Sequence, residues 1–398
     1  MTDQKSAKPV SAAATKPSFT NEQIAHQLTD NFWIREGEPT RHFDIPVGGT
    51  ITVNYAGLTQ KGQFYAHYAL ELWSDVTGIQ FVTTRGQADI MFDDWDSGAY
   101  AYSNLNSDGS IDQSFVNVST SWISGDGYNL SNYSFQTYIH EIGHALGLGH
   151  AGNYNGSADY GIDNDYANDS WQATVMSYFS QTENTAIDAD FAYVATPQVA
   201  DVMAIRALYG SSGDTRTSDT VYGDNGTAGS IMNHIIGNST PTTYTIVDDG
   251  GIDTLNFADT GQDQTIDLRE QAISSVRGVD GNLIIAQGTR IENAISGSGN
   301  DLIVANDLQN ILTGGAGNDR FVFHDAASPS ANIDTITDFE DGSDLICFVD
   351  DDLGPALSFG LLDFSAVGSD VSIQFNDDQI LLENVSLASL DVSDFLFV

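Results

Sequence analysis

Residues 140–150 read HEIGHALGLGH, so three of the chain's 8 histidines and one glutamate fall within eleven positions. His140 and His144 stand four residues apart, which places both imidazoles on one face of a helix, about 6 Å apart along its axis. A third ligand cannot come from the same helix without a turn. Gly147 can adopt the left-handed conformation that ends a helix, and the chain can then return His150 toward the other two. The spacing predicts three imidazoles around one zinc ion.

Three neutral ligands leave one coordination position open, as in catalytic rather than structural zinc sites. Glu141 lies about 100° around the helix from His140, so it can reach a water at that position without being a ligand. This placement suits a general base. The remaining histidines stand alone, and we interpret them as structural: His26, His42, His67, His234 and His324.

The first half of the chain mixes helix and strand patterns that can position this site. Apolar residues at helical spacing predict helices over 63–76, 131–147 and 196–210, the second of them capped by Ser131, Asn132 or Ser134. Alternating patterns bounded by turn residues predict strands over 49–57, 78–84 and 88–95. We therefore expect an α+β fold up to about residue 210.

The charge balance limits the partners. The chain has 55 Asp+Glu against 13 Lys+Arg, a net charge of −42, and no lysine follows Lys61. Nucleic acids and anionic membranes are therefore excluded as partners, and no apolar run is long enough for membrane insertion. The carboxylates form either a solvated acidic surface or ligands for bound cations, and their periodic placement favours cations. The single cysteine, Cys347, excludes an intramolecular disulfide.

After residue 210 the chain becomes rich in Gly, Asp and Asn, and an internal repeat appears. GSGNDLIVA (297–305) and GGAGNDRFV (314–322) place Asp301 and Asp319 eighteen residues apart, and the intervening nonapeptide has Asn310 at the aspartate position. Glycines permit positive φ and free carbonyl groups, and a cage of oxygen atoms suits Ca²⁺. A flexible linker would not explain the regular apolar positions, Ile303, Leu312 and Phe321. The repeat predicts a calcium-bound parallel β-roll.

The histidine motif resembles a known signature. HEIGHALGLGH matches the HExxHxxGxxH pattern of the metzincin metalloproteases, and ATVMSYFS (173–180) is similar to their Met-turn. The resemblance implies that Met176 packs under the histidines. It also implies that Tyr178, as in serralysins and astacins, ligates zinc in the resting enzyme and then swings out to hydrogen-bond the oxyanion.

Further segments resemble serralysins in particular: 16–29, LYG at 208–210 and TRTSDTVYG at 215–223. One departure follows the third histidine, where serralysins usually have Pro-Gly-Asp and this chain has Ala151, Gly152 and Asn153. The three ligands are unaffected by this change.

The resemblance also implies calcium ligands. It pairs two loops around one ion through Gly297, Gly299 and Asp301 with Gly314, Ala316 and Asp319. A second ion is expected from Gly315, Gly317 and Asp319 with Asp338. Upstream, the expected ligands are Asp248, Gly250 and Asp253 with the carbonyls of Arg216, Ser218 and Thr220, and a further site has Gly251, Asp253 and Glu292. Ser218 and Arg290 differ from the usual family residues. The roll is also shorter than usual, so fewer calcium ions are expected.

The expected organisation is an α+β metzincin catalytic domain followed by an all-β parallel β-roll of the RTX type and a C-terminal β domain. Residues 1–17 form a flexible N-terminal tail or a short propeptide, 18–210 the catalytic domain, and 211–398 the calcium-binding roll and secretion-signal domain. The first seventeen residues lack the apolar core of a signal peptide. The terminal DVSDFLFV reads as an edge strand or, by resemblance, as the tail of a substrate of type I secretion machinery.

The resemblance implies a secreted, extracellular, monomeric zinc endopeptidase of broad specificity that acts on proteins and peptides. An extended substrate is expected to pair with AYAYSNL (99–105). A small periplasmic or extracellular inhibitor remains open as a partner. The alternative is a calcium-dependent RTX adhesion or surface-binding protein. The roll alone does not exclude that alternative, but an adhesion protein has no need of a zinc triad.

Overall fold

The computed structural model describes residues 16–324, 332–349, 357–375 and 377–398. Most of the predicted tail therefore lies outside the described residues. Its last two residues are anchored: Lys16 Nζ donates to Asn164 Oδ1 at 2.8 Å and Ala167 N donates to Pro17 O at 2.8 Å. Among the described residues, no helix combines the length and apolar character needed to span a bilayer.

The helices are α1 (Asn21–His26), α2 (Phe32–Glu36), α3 (Gln60–Thr77), α4 (Tyr133–Ala145), α5 (Val199–Tyr209) and α6 (Ser230–Ile236). A π-helical stretch, Gln27–Asn31, joins α1 to α2. The three predicted helices are confirmed as α3, α4 and α5, with shifted ends. Helix α3 starts early because Thr59 Oγ1 accepts from Gly62 N, and it ends at Gly78, whose φ is +77°. Asn132 is the cap of α4, accepting from Phe135 N at 2.9 Å.

A five-stranded sheet lies beside these helices. Its strands are β1 (Thr50–Gly57), β2 (Gln80–Thr83), β3 (Ile90–Asp93), β4 (Ala99–Leu105) and β5 (Ile111–Val118), in the order β2-β1-β3-β5-β4. All pairings are parallel except that of β4 with β5. Strand β4 is therefore an antiparallel edge strand, and it packs against α4.

The rest of the chain is mostly strand. In chain order the strands are β6 (Tyr193–Val194), β7 (Val221–Gly223), β8 (Thr242–Ile246), β9 (Thr254–Asn256), β10 (Thr265–Asp267), β11 (Ile273–Val276), β12 (Val279–Ile285), β13 (Asn293–Ile295), β14 (Leu302–Val304), β15 (Ile311–Thr313), β16 (Arg320–His324), β17 (Ile333–Ile336), β18 (Leu345–Val349), β19 (Asp363–Val367), β20 (Asp370–Phe375), β21 (Asp378–Leu382) and β22 (Phe395–Phe397). Single 3₁₀ turns lie at Phe359–Leu361 and Val392–Asp394.

These strands form two sheets, which we call the roll. One has the order β22-β18-β16-β14-β10-β11-β12-β8-β6 and the other β19-β20-β21-β17-β15-β13-β9-β7. From β13 to β18 successive strands alternate between the sheets, and each pairs in parallel with the strand two positions along. The repeat's apolar residues Ile303, Leu312 and Phe321 are fully buried between the sheets, as predicted.

Two features of these sheets and their surroundings differ from the sequence pattern. The short helix α6 lies where no helix was expected. Strand β6 precedes residue 210, yet it pairs with β8 of the roll through Tyr193↔Thr242 and Val194↔Thr243. The first half therefore contributes an edge strand to the second half's sheet, a pairing that depends on tertiary packing and not on local pattern.

Candidate metal centre

The helix α4 carries the first two histidines, and the chain turns directly after it. The imidazole rings of His140 and His144 lie 4.7 Å apart between centroids. Gly147 has φ +114°, and a Cβ there would overlap the carbonyl oxygen of Arg41. The glycine is therefore required both by its backbone conformation and by the close approach of another chain segment.

The N-terminal helical segment, residues 21–36, packs against this turn and donates or accepts hydrogen bonds there. Trp33 Nε1 donates to Gly147 O at 2.8 Å, and Gly149 N donates to Leu28 O at 2.7 Å. The ring of Phe32 lies 5.1 Å from that of His150 in an edge-on contact. Sequence reasoning did not find this support, because it joins residues more than 100 positions apart.

The three histidines converge as the motif predicts. Their ligand nitrogens all lie within 4.8 Å of one another, and Nε2 of His144 and His150 are 3.0 Å apart. Nδ1 of His140 donates to Val175 O, and Nδ1 of His144 donates to Leu148 O, each at 2.8 Å. Because carbonyl oxygens only accept, these two rings keep the lone pair on Nε2.

Burial keeps the three rings neutral. It lowers the pKa of His140 to about 4 and that of His144 to about 3, and it places the pKa of His150 well below its usual value. Neutral imidazole is the form that binds a metal. The lone-pair Nε2 of His144 faces Nε2 of His150 at 3.0 Å, and the three rings present their nitrogens to one small space, as ligands of a single metal ion do. The donor set therefore fits zinc.

Glu141 is buried beside the triad, with 6% of its surface exposed. Within the described chain its Oε2 has no hydrogen-bond partner, and burial raises the pKa of its carboxyl to about 8. A carboxyl in these surroundings is poised to exchange protons near neutral pH.

The segment 173–180 lies beneath and beside the histidines. Met176 is fully buried, and a Cβ on Gly143 of α4 would lie 2.8 Å from its Sδ. The ring of Tyr178 is 4.7 Å from that of His150 and 6.1 Å from that of His140. Its hydroxyl accepts from Gly156 N at 3.2 Å, which leaves the hydroxyl hydrogen available to another acceptor.

A buried carboxylate that the sequence analysis missed fixes this segment. Asp201, at the start of α5, accepts from Thr174 Oγ1 at 2.5 Å, Val175 N at 2.7 Å and Gln198 N at 2.8 Å. Burial raises the pKa of Asp201 to about 7. Since Val175 O is the acceptor for His140, Asp201 orients a predicted ligand through the backbone. The only sequence signal was an acidic residue in the first turn of a predicted helix.

A second missed carboxylate lies on the Tyr178 side. Asp169 is fully buried and accepts from Ser177 Oγ at 2.7 Å and Tyr154 Oη at 3.2 Å. The Tyr154 ring in turn lies 4.7 Å from that of Tyr178. No pattern in the sequence marks Asp169, because its role appears only when these distant side chains meet.

A cleft opens on both sides of the metal centre. One half, of about 380 Å³, is lined by the aromatic side chains of Trp122, Tyr133 and Trp171. The other half, of about 350 Å³, runs along β4 between Ala99 and Ser103. Glu141 and Tyr178 line both halves. A group held in either half therefore lies against His140 and the Glu141 carboxyl together.

The predicted calcium ligands near residue 250 mostly come together. Asp248 and Asp253 are buried, and Asp253 Oδ1 accepts from Thr220 N at 2.7 Å. Asp253 N donates to Glu292 Oε2 at 2.8 Å, and Gly250 N donates to Asp248 Oδ1 at 2.9 Å. Asp253 Oδ2 is buried with no partner among the described residues, which fits a cation ligand.

The other members of this set differ in their surroundings. A Cβ on Gly251 would come within 2.8 Å of both Ser218 O and Asp253 Oδ1, so these groups share one small space. The side chain of Arg216 points elsewhere, to Asp75 Oδ2 at 2.8 Å and Val247 O at 2.9 Å.

The predicted ligands in the repeat loops also lie close to one another. Asp301 N donates to Asp319 Oδ1 at 2.8 Å, and Ala316 N donates to Gly297 O at 3.0 Å. Gly314 lies against Asp319 Oδ2, and Gly315 and Gly317, both with positive φ, lie against the carbonyls of Gly297 and Gly299. Asp338 accepts from Gly314 N and Gly315 N at 3.0 and 2.8 Å. Asp344, which was not predicted, accepts from Asp319 N at 2.9 Å, just as Asp319 accepts from Asp301 N.

Replacing Gly147 with alanine is expected to weaken zinc binding about 10- to 100-fold. The new Cβ would strain a positive φ and displace the Arg41 carbonyl, and changes next to metal ligands have effects of this size. Zinc content and a zinc titration of the metal-stripped protein measure the change. Gly161→Ala is the matched control, because Gly161 has φ +88° but no atom within 4 Å of its Cβ position. Equal effects of the two substitutions would contradict the prediction.

Comparison with known proteins gives a consistent set of relatives. A family model described as Peptidase M10 serralysin C terminal matches residues 211–396. The chain is 34% identical over 326 residues to metallopeptidase AprA of Pseudomonas marginalis, and the alignment covers 75% of this chain and 67% of that protein. It is 37% identical over 268 residues to serralysin of Photorhabdus luminescens, covering 65% and 55%.

The matches thus span between about half and two thirds of these relatives' own length. A solved structure of myroilysin is 22% identical and covers 41% of this chain and 94% of that one, with a TM-score of 0.28.

Proposed function

Because this chain belongs to the serralysin family of metalloendopeptidases, we propose that it is a secreted, zinc-dependent endopeptidase that cleaves protein substrates with broad specificity. The observation that carries the proposal is the convergence of three neutral imidazoles beside a buried carboxyl at the centre of an open cleft. We assign residues 18–210 to the catalytic domain and 211–398 to the calcium-binding and secretion domain.

In this proposal His140, His144 and His150 hold the zinc, with Tyr178 as a further ligand in the resting enzyme. When bound, zinc would polarise the scissile carbonyl and lower the pKa of the attacking water. Glu141 takes the proton from that water and passes it to the leaving amine. The Tyr178 hydroxyl, supported by Gly156 N, donates to the tetrahedral oxyanion.

The substrate is proposed to bind as an extended chain along β4. This strand is an edge of its sheet, so one row of its backbone groups is free to pair. Alternate residues of β4 are exposed, and both halves of the cleft reach Ala99. Main-chain pairing of this kind is independent of side-chain identity, which supports broad specificity.

We also propose several structural Ca²⁺ ions in the roll. The ligands are those predicted by resemblance: Arg216, Ser218, Thr220, Asp248, Gly250, Gly251, Asp253, Glu292, Gly297, Gly299, Asp301, Gly314, Gly315, Ala316, Gly317, Asp319 and Asp338. The buried, unpartnered Oδ2 of Asp253 supports the upstream sites, and the stacked carbonyls of Gly297 and Gly299 support the downstream ones.

Export is proposed to occur through type I secretion machinery, with calcium completing the fold outside the cell. A chain of net charge −42 that must bury carboxylates folds poorly where Ca²⁺ is scarce. The terminal DVSDFLFV ends as β22, which pairs with β18 at the edge of the nine-stranded sheet.

Casein cleavage with and without 1,10-phenanthroline tests the proposed activity. We expect cleavage by the calcium-loaded protein, loss of nearly all activity on chelation of zinc, and recovery on adding zinc but not on adding more calcium. A calcium-loaded, zinc-containing protein that cleaves no casein would contradict the proposal and favour the adhesion alternative.

A further inference from the structure

The half of the cleft along β4 contains an arginine that the proposed mechanism does not use. Among the described residues that line this half, Arg41 is the single lysine or arginine. The chain has 13 Lys+Arg against 55 Asp+Glu, so an arginine at the cleft is unusual in this protein.

Arg41 is held rigidly beside the third histidine's turn. Its Cζ lies 3.8 Å from the centroid of the Trp33 ring, over the ring face. Trp33 is itself bonded to Gly147 O, and the Arg41 carbonyl abuts the Cα of Gly147. Stacking and backbone contacts together fix the guanidinium before any ligand arrives, which lowers the entropy lost on binding.

The guanidinium retains unused donor capacity on the cleft side. Nε donates to Pro39 O and Nη2 to Glu38 Oε2, both at 3.3 Å. Within the described chain Nη1 has no acceptor, and it is not among the buried unpartnered atoms, so it is accessible to solvent on a side chain that lines the cleft. An arginine offers five N–H donors in a planar fork that matches a carboxylate.

The neighbouring Glu38 compensates the charge only in part. Its side chain is 55% exposed, whereas that of Arg41 is 9% exposed. Burial lowers the pKa of Arg41 in spite of the opposing effect of Glu38. Because Arg41 is nearly buried, its partner Glu38 is solvated and its Nη1 is unused within the described chain, a second carboxylate would stabilise the guanidinium charge.

We propose that Arg41 selects substrates that place an aspartate or glutamate side chain in the β4 half of the cleft. The inference rests on the proposed endopeptidase activity and adds a preference at one substrate position on one side of the cleaved bond. Repulsion by the net charge of −42 does not prevent this, because at about 0.1 M salt it is screened beyond about 10 Å and the direct contact decides.

Mapping of cleavage sites in a peptide library tests the inference. The zinc- and calcium-loaded wild type is expected to cleave preferentially where Asp or Glu occupies one fixed position on one side of the cleaved bond. A peptide pair differing by Glu or Gln at that position then measures the effect. Arg41→Gln should lower kcat/KM about tenfold for the Glu peptide and change it less than about twofold for the Gln peptide.

Two further variants make the test independent of folding. Glu38→Gln removes the competing carboxylate and should increase the preference for the Glu peptide, which a destabilised protein could not imitate. Arg35→Gln is the control, because Arg35 pairs with Asp165 and does not line the cleft. Its Glu-to-Gln preference should equal that of the wild type.

The outcomes separate the two proposals. Cleavage without acidic enrichment, an unchanged preference in Glu38→Gln, or equal losses on both peptides in Arg41→Gln would overturn the role of Arg41 while leaving the endopeptidase activity intact. Equal losses would show that Arg41 acts through the structure of the site or on the substrate main chain, and not on an acidic side chain. Failure of the wild type to cleave any peptide would instead overturn the proposed function.

Discussion

Glu141→Ala is expected to lower kcat/KM for peptide hydrolysis by about 10³-fold, within the range that general acid–base catalysis contributes. The carboxyl lies beside the three imidazoles, faces both halves of the cleft and has an oxygen without a partner among the described residues. Its removal takes away the group that moves the proton and leaves the proposed ligands in place. Steady-state kinetics on a defined peptide measure the effect.

Folding and zinc content should stay close to wild type in this variant. The substitution removes a buried carboxyl whose Oε2 has no partner among the described residues, so no buried hydrogen bond of that oxygen is lost and no partner is left unsatisfied. Glu71→Ala is the matched control, because Glu71 is an exposed glutamate of α3 whose near partner is His67. Near-normal turnover by Glu141→Ala with full zinc occupancy would refute its role as the general base.

Adding Ca²⁺ alone to metal-stripped protein is expected to raise Tm by on the order of 10 °C or more. When the free Ca²⁺ concentration is about 100 times the Kd of a site, binding raises the free energy of unfolding by about 3 kcal/mol. For a domain the size of residues 211–398, each change of about 1 kcal/mol shifts Tm by about 2–4 °C. The physical reason is the buried pair Asp248 and Asp253, whose charges repel without a cation. Thermal unfolding followed by circular dichroism measures the shift.

The pH dependence of folding stability should change sign when calcium is bound. Burial, followed by the charges of Asp248 and Glu292, raises the pKa of Asp253 to about 7, against about 3.9 when unfolded. In the stripped protein the folded state binds more protons between these values, so its stability falls as pH rises from about 4 to about 7. With calcium bound the carboxylates must be ionised, so stability falls as pH drops through the same interval.

Two variants serve as controls for the calcium prediction. Asp253→Asn should lose a large part of the calcium-dependent rise in Tm, because its buried Oδ2 would become an amide nitrogen or a weaker ligand. Asp259→Asn, an exposed position near the same strand, should behave like wild type. A Tm that does not respond to Ca²⁺ in the wild-type protein would count against the calcium sites.

The zinc triad and its helix could be predicted because the information is local. Two histidines four residues apart share a helix face whatever the rest of the chain does, and a glycine three positions after the second allows the turn. The structure confirms both the helix and the convergence of the three rings. The same holds for the buried positions of the roll, since a nine-residue repeat carries its own register.

The supporting contacts could not be predicted in this way. The hydrogen bond from Val175 N to Asp201 and the one from Trp33 Nε1 to Gly147 O join segments far apart in sequence. No spacing rule relates such residues, because only the packing of α5 and of the N-terminal helical segment against the centre brings them together. The contact of Asp344 with Asp319 N was missed for a similar reason, because Asp344 lies outside the nine-residue repeat.

By itself, the sequence predicted the proposed metal ligands, the proposed base and the repeat, because each depends on residue types at fixed short separations along one helix, turn or strand. Tertiary structure alone decided how those groups are oriented, that β6 joins the roll, and that Arg41 reaches the cleft beside His150. These depend on contacts between distant segments, where burial and hydrogen bonding select one arrangement among many that the local pattern permits.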